Sequence, residues 1–271
     1  MNKTVVITGA AGVLCSTIVE DFALRGANVA ALDINYKAVS ALSEKLKDSP
    51  GKVKAYEANV LDKKSLIDAQ NAITAEFGGC DILINGAGGN KPTATTEDEF
   101  FSINEKVDKT FFDLPEEGID FVFNLNFKGA FLTSQVFAEA MAKRGCGQIL
   151  NISSMNAFTP LTKIPAYSAA KAAVSNFTQW LAVYFAKSGI RVNAIAPGFF
   201  STQQNKWLLY TQSGELTPRS EKIIRNTPMG RFGEASEILG AVYFLTDDSL
   251  SGFITGVVLP IDGGFNAYSG V

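Results

Sequence analysis

Histidine is absent from the 271 residues of this chain, and its absence removes several classes of enzyme mechanism. A chain without imidazole cannot be a serine–histidine hydrolase, a histidine-dependent dehydrogenase or a protein with histidine-ligated zinc. If the chain is an enzyme, its acid or base must be a tyrosine, lysine, aspartate, glutamate or cysteine. A tyrosine placed beside a cation is therefore a leading candidate for proton transfer.

Cysteines are also few. The chain has 3 of them, and no two form a CxxC pair. This odd set argues against a disulfide framework or a zinc cage and fits reduced thiols in a cytoplasm. The net charge of −3 favours neither nucleic acid nor an anionic membrane as a partner. No apolar run reaches the ~20 residues of a transmembrane helix, and the N-terminus lacks a signal-peptide layout. We expect a cytoplasmic protein that takes a small-molecule substrate and binds no metal.

The first 33 residues have the pattern of a dinucleotide-binding unit. A short apolar strand (4–7) leads into the glycine-rich turn TGAAGVLC (8–15), a helix, and the strand NVAALD (28–33). Glycines let a backbone approach a pyrophosphate, and a helix N-terminus offers it free N–H groups. The candidate residues at this turn are Gly9, Gly12, Val13 and Leu14. The alternative is a glycine-rich turn in an ordinary α/β protein.

Asp33 ends the second predicted strand, where a carboxylate can accept hydrogen bonds from ribose hydroxyls and would repel a 2′-phosphate. Positions 34 and 35 carry no Arg or Lys, and the nearest basic residue is Lys37. The sequence therefore predicts NAD rather than NADP.

Strands and helices continue to alternate along the rest of the chain. Helices are predicted over 36–47, 62–77, 117–143, from Tyr167 to about 188, and over 233–248, with strands over 52–58, 81–84, 148–153, 190–198 and 256–265. This rhythm predicts an α/β fold, a single Rossmann-type doubly wound domain (1–271) with a seven-stranded parallel sheet and helices on both faces. Open sheets of this kind bind ligands at the carboxyl ends of their strands. Further candidate cofactor residues lie at two such ends: Asn59, Val60, Asn85, Gly86 and Ala87.

Two segments interrupt the alternation. Residues 90–115 are polar and then aromatic, and they are longer than a typical connection. We interpret them as an active-site insertion whose phenylalanines pack down; the alternative is a solvated insertion. Residues 199–228 alternate short amphipathic pieces with turns and are interpreted as a substrate lid, the alternative being a static surface excursion.

The stretch YSAAK (167–171) carries the clearest chemical signal. Tyr167 and Lys171 are four residues apart, so on a helix they share one face. A cation near a phenol favours its ionised form and suits the phenol to acid–base chemistry near neutral pH. Taken alone, such a pair is usually solvated. Ser154, 13 residues earlier, and Asn126 in NFKG (126–129) make a catalytic reading stronger.

In this order, the motifs resemble those of the classical short-chain dehydrogenases/reductases over essentially the whole chain. They are TGAAGVLC (8–15), Asp33, NGAG (85–88), NFKG (126–129), Ser154, YSAAK (167–171), PGFFST (197–202) and DGG (262–264). The resemblance implies a Rossmann-type fold, hydride transfer to or from a nicotinamide cofactor, and usually a homotetramer.

The resemblance also implies roles for single residues. Tyr167 would exchange the proton with the substrate oxygen, and Lys171 would hold the nicotinamide ribose and lower the pKa of the phenol. Ser154 would hydrogen-bond the reacting carbonyl or alcohol, and Asn126 would hold a water relay behind Lys171. Cofactor contacts would also come from Pro197, Gly198 and Thr202.

The chain departs from the family pattern at two places. Val13 and Cys15 stand where TGxxxGxG has its second and third glycines, so the turn is expected to follow a different local course. Asn59 stands where an Asp usually contacts the adenine amine, and an Asn oxygen can still accept that bond.

Within the family, the chain is similar to the sugar-acid dehydrogenases called D-mannonate oxidoreductase or fructuronate reductase. Polar residues on the two irregular segments could line a sugar-acid pocket or could be solvated: Asn90, Lys91, Gln204, Asn205 and Lys206. The competing functions are reduction of another carbonyl, such as a 3-oxoacyl thioester or a hydrophobic ketone, and a non-catalytic nucleotide-sensing or scaffold role.

Overall fold

The computed structural model describes residues 3–104, 106–201 and 209–270. Seven parallel strands form one sheet in the order β3-β2-β1-β4-β5-β6-β9, which confirms the predicted fold. The strands are β1 (Thr4–Thr8), β2 (Asn28–Asp33), β3 (Val53–Glu57), β4 (Ile82–Asn85), β5 (Gly147–Ile152), β6 (Ile190–Pro197), β7 (Phe200–Ser201), β8 (Gly233–Glu234) and β9 (Val258–Ile261). Strands β7 and β8 pair separately as a small parallel ribbon.

Helices cover both faces of the sheet because successive strand residues point to opposite sides. Val5 and Ile7 of β1 belong to one core cluster and Val6 to the other, and all three are fully buried. The helices are α1 (Val13–Leu24), α2 (Tyr36–Lys45), α3 (Lys63–Phe77), α4 (Glu116–Phe123), α5 (Gly129–Arg144), α6 (Pro165–Phe185), α7 (Pro218–Arg225), α8 (Leu239–Thr246) and α9 (Asp248–Ser251). None of the helices described here is long and apolar enough to cross a membrane.

The helix predicted over 117–143 is present as one continuous helical run, but its middle is π-helical rather than α-helical. A π-helical turn (Asn124–Lys128) separates α4 from α5. Within this turn the Asn126 amide donates to the carbonyl of Val122 and to that of Gly89, both at 2.7 Å. The hydrogen bond from Asn126 to Gly89, outside the helix, can stabilise this π-helical turn. Such turns are frequent at functional sites.

The helix predicted over 233–248 begins later, as α8. The first two residues of the predicted segment, Gly233 and Glu234, form β8 instead, and a 3-10 turn (Ala235–Ile238) follows. Glu234 and Glu237 cap this turn reciprocally, each side chain accepting the other residue's backbone N–H.

The four phenylalanines of the segment 90–115 all face solvent. The segment contains two 3-10 turns (Pro92–Ala94 and Phe111–Asp113). The expectation that its aromatic residues pack down was wrong, because five large apolar side chains are between 59% and 87% exposed: Phe100, Phe101, Ile103, Phe111 and Phe112. Among these, Phe101 and Phe112 meet edge to face with ring centroids 5.4 Å apart.

Candidate active site

A cavity of about 490 Å³ opens at the carboxyl ends of the strands, where β1 lies between β2 and β4. The chain reverses its strand order at this point, which is where open α/β sheets bind ligands. The predicted site residues that line the cavity are Gly9, Gly12, Val13, Leu14, Asp33, Asn59, Val60, Gly86, Ala87, Ser154, Tyr167, Lys171, Pro197 and Gly198.

The glycine turn keeps its tight course despite the replaced glycines. Gly9 has a φ of +63°, and a Cβ there would lie 2.8 Å from the Cα of Ala87. The Gly12 N–H donates to the Gly9 carbonyl at 2.9 Å, and α1 starts at the next residue. The N–H groups of the first turn of α1 have no partner within the helix and border the cavity, as an anion site requires.

Cys15 fills the space that the third glycine of the family pattern would leave open. Its thiol packs under the bend after β4, since a Cβ on Gly86 would lie 2.2 Å from the Cys15 Sγ. Burial raises the pKa of this thiol to about 12, so it is an inert packing group at neutral pH.

The Asp33 carboxylate is held by backbone donors at the mouth of the cavity. One oxygen accepts the Ala11 N–H at 3.0 Å and the other accepts the Asn35 N–H at 2.9 Å. A carboxylate has about four lone-pair sites, so capacity remains for two further hydroxyl donors. The neighbouring Ile34 is 68% exposed and presents no positive charge.

The bend after β4 is fixed by β1. The Thr8 hydroxyl accepts the N–H groups of Gly86 and Ala87 at 3.1 and 3.3 Å. Asn85, predicted as a cofactor residue, does not line the cavity: its amide donates to Ser134 Oγ at 2.9 Å and to Asn151 Oδ1 at 2.8 Å. Its side chain belongs to a buried network between strands and helices.

After β3, two predicted residues of the cavity lining lie side by side. The Asn59 side-chain oxygen accepts the Leu61 N–H at 2.9 Å, which fixes the orientation of the amide. Val60 is buried and meets α5, where a Cβ on Gly129 would lie 2.9 Å from its side chain.

Lys171 lies at the inner end of the cavity and is only 4% exposed. Its ammonium donates to the Ile152 carbonyl at 2.8 Å and lies 5.7 Å from the centre of the Tyr167 ring. Burial lowers the pKa of the Lys171 side chain to about 8. The α6 spacing therefore does bring the ammonium and the phenol together, as the motif predicts.

Burial raises the pKa of the Tyr167 phenol above its ordinary value, and a hydrogen bond with Ser154 lowers it in part. The expected lowering of this pKa by Lys171 is not found, because burial raises the pKa and only the hydrogen bond with Ser154 offsets part of that rise. The Tyr167 ring packs against an apolar cluster formed by Ala94, Ile119, Val122 and Ala166. Ala94 belongs to the 90–115 segment, so that segment contributes to the wall beside the phenol.

Ser154, rather than Ser153, is free to meet a substrate. Ser154 caps the 3-10 turn Met155–Ala157, and its hydroxyl accepts the Asn156 N–H at 3.2 Å. The Ser153 hydroxyl is 2.7 Å from Ser175 Oγ and donates to the Lys171 carbonyl at 3.1 Å. Ser153 thus fastens β5 to α6.

Asn126 lies behind the cavity and does not line it. Its amide pairs twice with the backbone of Gly89, donating at 2.7 Å and accepting at 3.1 Å. A Cβ on Gly88 would lie 2.6 Å from Asn126 Oδ1 and 3.1 Å from Lys171 Nζ. Asn126, Gly88 and Lys171 therefore form one close-packed unit.

Of the predicted substrate residues that the structure describes, Ser154 lines this cavity, while Asn90 and Lys91 do not. Asn90 is exposed and donates to Thr95 Oγ1 at 2.9 Å, while the Lys91 ammonium lies 4.4 Å from the centre of the Phe121 ring. Thr202, Gln204, Asn205 and Lys206 lie outside the described residues.

Sequence reasoning did not assign several residues that line the cavity: Cys15, Ile34, Ala58, Gly88, Leu125, Ile152 and Ser153. Most of them are sequence neighbours of a predicted residue, and this adjacency could have identified them as lining residues. Leu125 enters the lining from the π-helical turn, which no sequence pattern indicated.

Comparison with known proteins identifies relatives along the full chain. The family model described as "Enoyl-(Acyl carrier protein) reductase" matches residues 9–266. An uncharacterised oxidoreductase of Haemophilus influenzae is 58% identical over 272 residues, covering 100% of this chain and 95% of its own. The uncharacterised oxidoreductase UxuB of Bacillus subtilis is 50% identical over 270 residues, covering 100% and 97%. A crystal structure from Haemophilus influenzae, named as a candidate D-mannonate oxidoreductase with bound NAD, superposes with a TM-score of 0.95 at 58% identity and covers 100% and 97% of the two chains.

Proposed function

The chain belongs to the short-chain dehydrogenase/reductase family, and from this premise we propose that it is an NAD(H)-dependent oxidoreductase. It interconverts a secondary alcohol and a ketone on a sugar acid of the D-mannonate/D-fructuronate kind. The observation that carries this proposal is the placement of Ser154, Tyr167 and Lys171 at the inner end of the cavity that Asp33 borders at its mouth.

The cavity fits NAD at each of its parts. Gly9 and Gly12 leave the turn without side chains, and the free N–H groups of α1 face a pyrophosphate. Asp33 retains acceptor capacity for the adenosine ribose hydroxyls, and Asn59 would hold the adenine. Pro197 and Gly198 would border the nicotinamide, and Thr202 is proposed to hold its carboxamide.

When bound, NAD accepts or supplies the hydride; the chain's own residues handle the proton. Ser154 donates a hydrogen bond to the substrate oxygen and orients it toward the phenol. Tyr167 takes the proton from the alcohol during oxidation and returns it to the carbonyl during reduction. Lys171 holds the nicotinamide ribose, and Asn126 fixes the backbone behind it and holds a water relay.

A sugar-acid substrate is supported by relatedness. The chain is 58% identical to the neighbour named as a candidate D-mannonate oxidoreductase. Ala94 of the 90–115 segment packs in the Tyr167 cluster, which favours that segment as an active-site insertion. The 199–228 segment is proposed as the lid, with Lys222 of α7 paired to Glu99 of the insertion. Carboxylate recognition is assigned to Lys91 or Lys206, and hydroxyl recognition to Asn90, Gln204 and Asn205.

Reduction of a 3-oxoacyl thioester is the second candidate, favoured by a 3-oxoacyl-[acyl-carrier-protein] reductase of Thermotoga maritima that is 32% identical over 263 residues and covers 97% of this chain. A nucleotide-sensing role without turnover is the third, suggested by the altered glycine turn. The second candidate predicts turnover of a different substrate, and the third predicts that no substrate is turned over.

We propose a cytoplasmic homotetramer. One apolar surface on α6 supports self-association: Trp180 and Tyr184 stack with centroids 4.9 Å apart and, with Val183, are all more than half exposed. Light scattering coupled to size exclusion measures the assembly, and a monomer at micromolar concentration contradicts it.

The function is tested with a panel of hexuronates, aldonates, polyols, acetoacetyl thioesters and simple ketones, each with NAD(H) and NADP(H). We expect the highest kcat/KM with a sugar acid and NAD(H), and a turnover lower by at least ~10²–10⁴ from a Tyr167→Phe control. Preference for the thioester supports the second candidate. NADH binding without turnover of any panel member supports the third.

A further inference from the structure

Lys163 takes a backbone conformation that a side chain disfavours. It lies in the loop that leads into α6, two residues before the helix begins at Pro165. Among the residues that the structure describes, it is the non-glycine residue with a positive φ, which is 73°. A Cβ makes this left-handed conformation costly, whereas glycine adopts it freely. Strain of this kind persists where the surrounding structure fixes the residue, and it is frequent near active sites.

Lys163 is bonded to the 90–115 segment through both its backbone and its side chain. Its carbonyl accepts the Thr96 N–H at 2.9 Å, and its ammonium donates to the Glu97 carbonyl at 2.7 Å. The Glu97 N–H in turn donates to the Lys109 carbonyl at 2.8 Å, so the later half of the segment is joined at the same point. Lys163 thus fastens the segment to the start of the helix that carries Tyr167.

The fastened part of the segment adjoins the wall beside Tyr167. Ala94 precedes Thr96 by two residues and is fully buried. It packs with Val122 and Ala166 in the cluster against which the Tyr167 ring lies. Because so little chain separates Ala94 from Thr96, loosening the bonds to Lys163 would let water reach the ring.

The surroundings of the Tyr167 phenol come from several elements. The segment and α4 present apolar side chains to it, Ala94 and Val122, and Lys171 of α6 places its ammonium 5.7 Å from the ring centre. The acidic side chains of α4 are exposed instead: Glu116, Glu117 and Asp120. Burial raises the pKa of the phenol, and the hydrogen bond with Ser154 offsets part of that rise. Since burial has the largest effect, water admitted at this wall would lower the pKa.

We propose that Lys163 is a positioning residue for proton transfer, which fastens the 90–115 segment against Tyr167 and keeps water from its phenol. The inference rests on the proposed function, in which Tyr167 exchanges the proton with the substrate. It adds a residue outside the cavity lining that controls the surroundings of that exchange. A role of the Lys163 charge alone would have the opposite sign, because loss of a nearby cation raises the pKa of a phenol.

The test uses three variants of the full chain. Lys163→Met removes the ammonium and keeps the aliphatic stem, Lys163→Gly also removes the backbone strain, and Lys163→Arg keeps a cationic donor. Hydroxyl-radical labelling of Tyr167 at neutral pH, read by mass spectrometry, measures its access to water without any substrate. The pH dependence of kcat for alcohol oxidation measures the effect on proton transfer.

We expect labelling of Tyr167 to rise about twofold or more in Lys163→Met and Lys163→Gly, as for a locally opened contact. The midpoint of the pH profile should move to lower pH by about half a unit or more in both variants, because the phenol becomes better solvated. Lys163→Arg should stay near wild type in both measurements. Lys163→Gly should keep its melting temperature, since the relief of strain offsets the lost hydrogen bond.

Lys222→Met serves as the matched control. Lys222 is ion-paired with Glu99 of the same segment, so this variant also removes an ammonium that holds the segment, but one that comes from α7. Labelling of Tyr167 and the midpoint of the pH profile should both stay as in the wild type.

Four outcomes overturn the inference. They are unchanged labelling in Lys163→Met and Lys163→Gly, an equal rise in Lys222→Met, increased labelling without a shift of the midpoint, and a midpoint that moves to higher pH. The last of these would mean that Lys163 acts through its charge alone. A wild type that turns over no alcohol overturns the proposed function, and the labelling then decides separately whether Lys163 keeps water from Tyr167.

Discussion

The Asp33 carboxylate accepts the Ala11 N–H at 3.0 Å, so the residue proposed to bind the adenosine ribose also holds the glycine turn. Replacing Asp33 therefore changes both cofactor choice and the shape of the pyrophosphate site. We predict that Asp33→Asn with Ile34→Arg moves preference toward NADP(H), because the repelling charge is lost, a cation is gained and one oxygen still accepts the Ala11 N–H. Asp33→Ala with Ile34→Arg should shift preference similarly but weaken both cofactors.

The measurement is kcat/KM for NADH and NADPH in the wild type and both double variants. A wild type that prefers NADPH contradicts the assignment of Asp33. Equal affinities in the two double variants would mean that the Ala11 contact does not shape the site.

Gly88 gives a test of the unit formed by Asn126 and Lys171. In Gly88→Ala the new Cβ lies 2.6 Å from Asn126 Oδ1 and 3.1 Å from Lys171 Nζ, so the ammonium or the amide must move. We predict a loss of kcat and of NADH affinity together. Gly89→Ala is the matched control, since a Cβ there meets nothing within 4 Å. Similar kinetics in the two variants would contradict this account.

The βαβ rhythm and the turn chemistry were enough to predict the sheet and its ligand edge, because both follow from local patterns. The π-helical turn at Asn124–Lys128 was not predictable, since it depends on Asn126 bonding to Gly89, 37 residues away. The direction of the Tyr167 pKa also escaped prediction. Spacing shows that Lys171 is near, but the extent of burial is a property of the folded chain.

Lys91 and Lys206 are the candidates for the substrate carboxylate. A charge-assisted contact contributes roughly 1.5–3 kcal/mol, so Lys→Met at the true contact should raise KM for the acid by about one to two decades. The Lys91 ammonium would have to leave the Phe121 ring to make that contact. The two single variants are compared on the acid and on the corresponding polyol. Unchanged KM in both variants places the carboxylate elsewhere or excludes an acid substrate.

Lys171 should make stability depend on pH in a definite direction. Burial lowers the pKa of Lys171 from 10.5 to about 8. Below about pH 8 the folded state therefore carries a buried positive charge, which lowers the free energy of unfolding. Between about pH 8 and 10.5 the unfolded chain binds more protons, and stability contributed by this group rises with pH. We predict that the free energy of unfolding of wild type, relative to Lys171→Met, increases by about 2 kcal/mol from about pH 7 to about pH 9.5. Urea titrations at both pH values measure it, and a decrease would contradict the assigned pKa.

Tyr167 is proposed to carry the proton transfer, and two measurements together test this role. Burial raises the pKa of the phenol. The deprotonated phenol, which oxidation needs, therefore becomes more populated as pH rises through the alkaline range. At lower pH the protonated phenol, which reduction needs, is the main form. Oxidation should therefore accelerate as pH rises, and reduction should be favoured at lower pH. A positively charged nicotinamide ring would favour the phenolate further.

Tyr167→Phe keeps the ring in its apolar cluster with Ala94 and Val122 and removes only the oxygen. We predict that kcat falls by at least ~10²–10⁴ while the fold and the NADH dissociation constant stay nearly unchanged. Tyr268→Phe, at an exposed tyrosine near the C-terminus, is the control for loss of a phenol oxygen elsewhere. A folded, NADH-binding Tyr167→Phe enzyme with near wild-type turnover would show that the acid or base is another residue. In a chain without histidine, Lys171, whose own pKa lies near 8, would then be the group to examine.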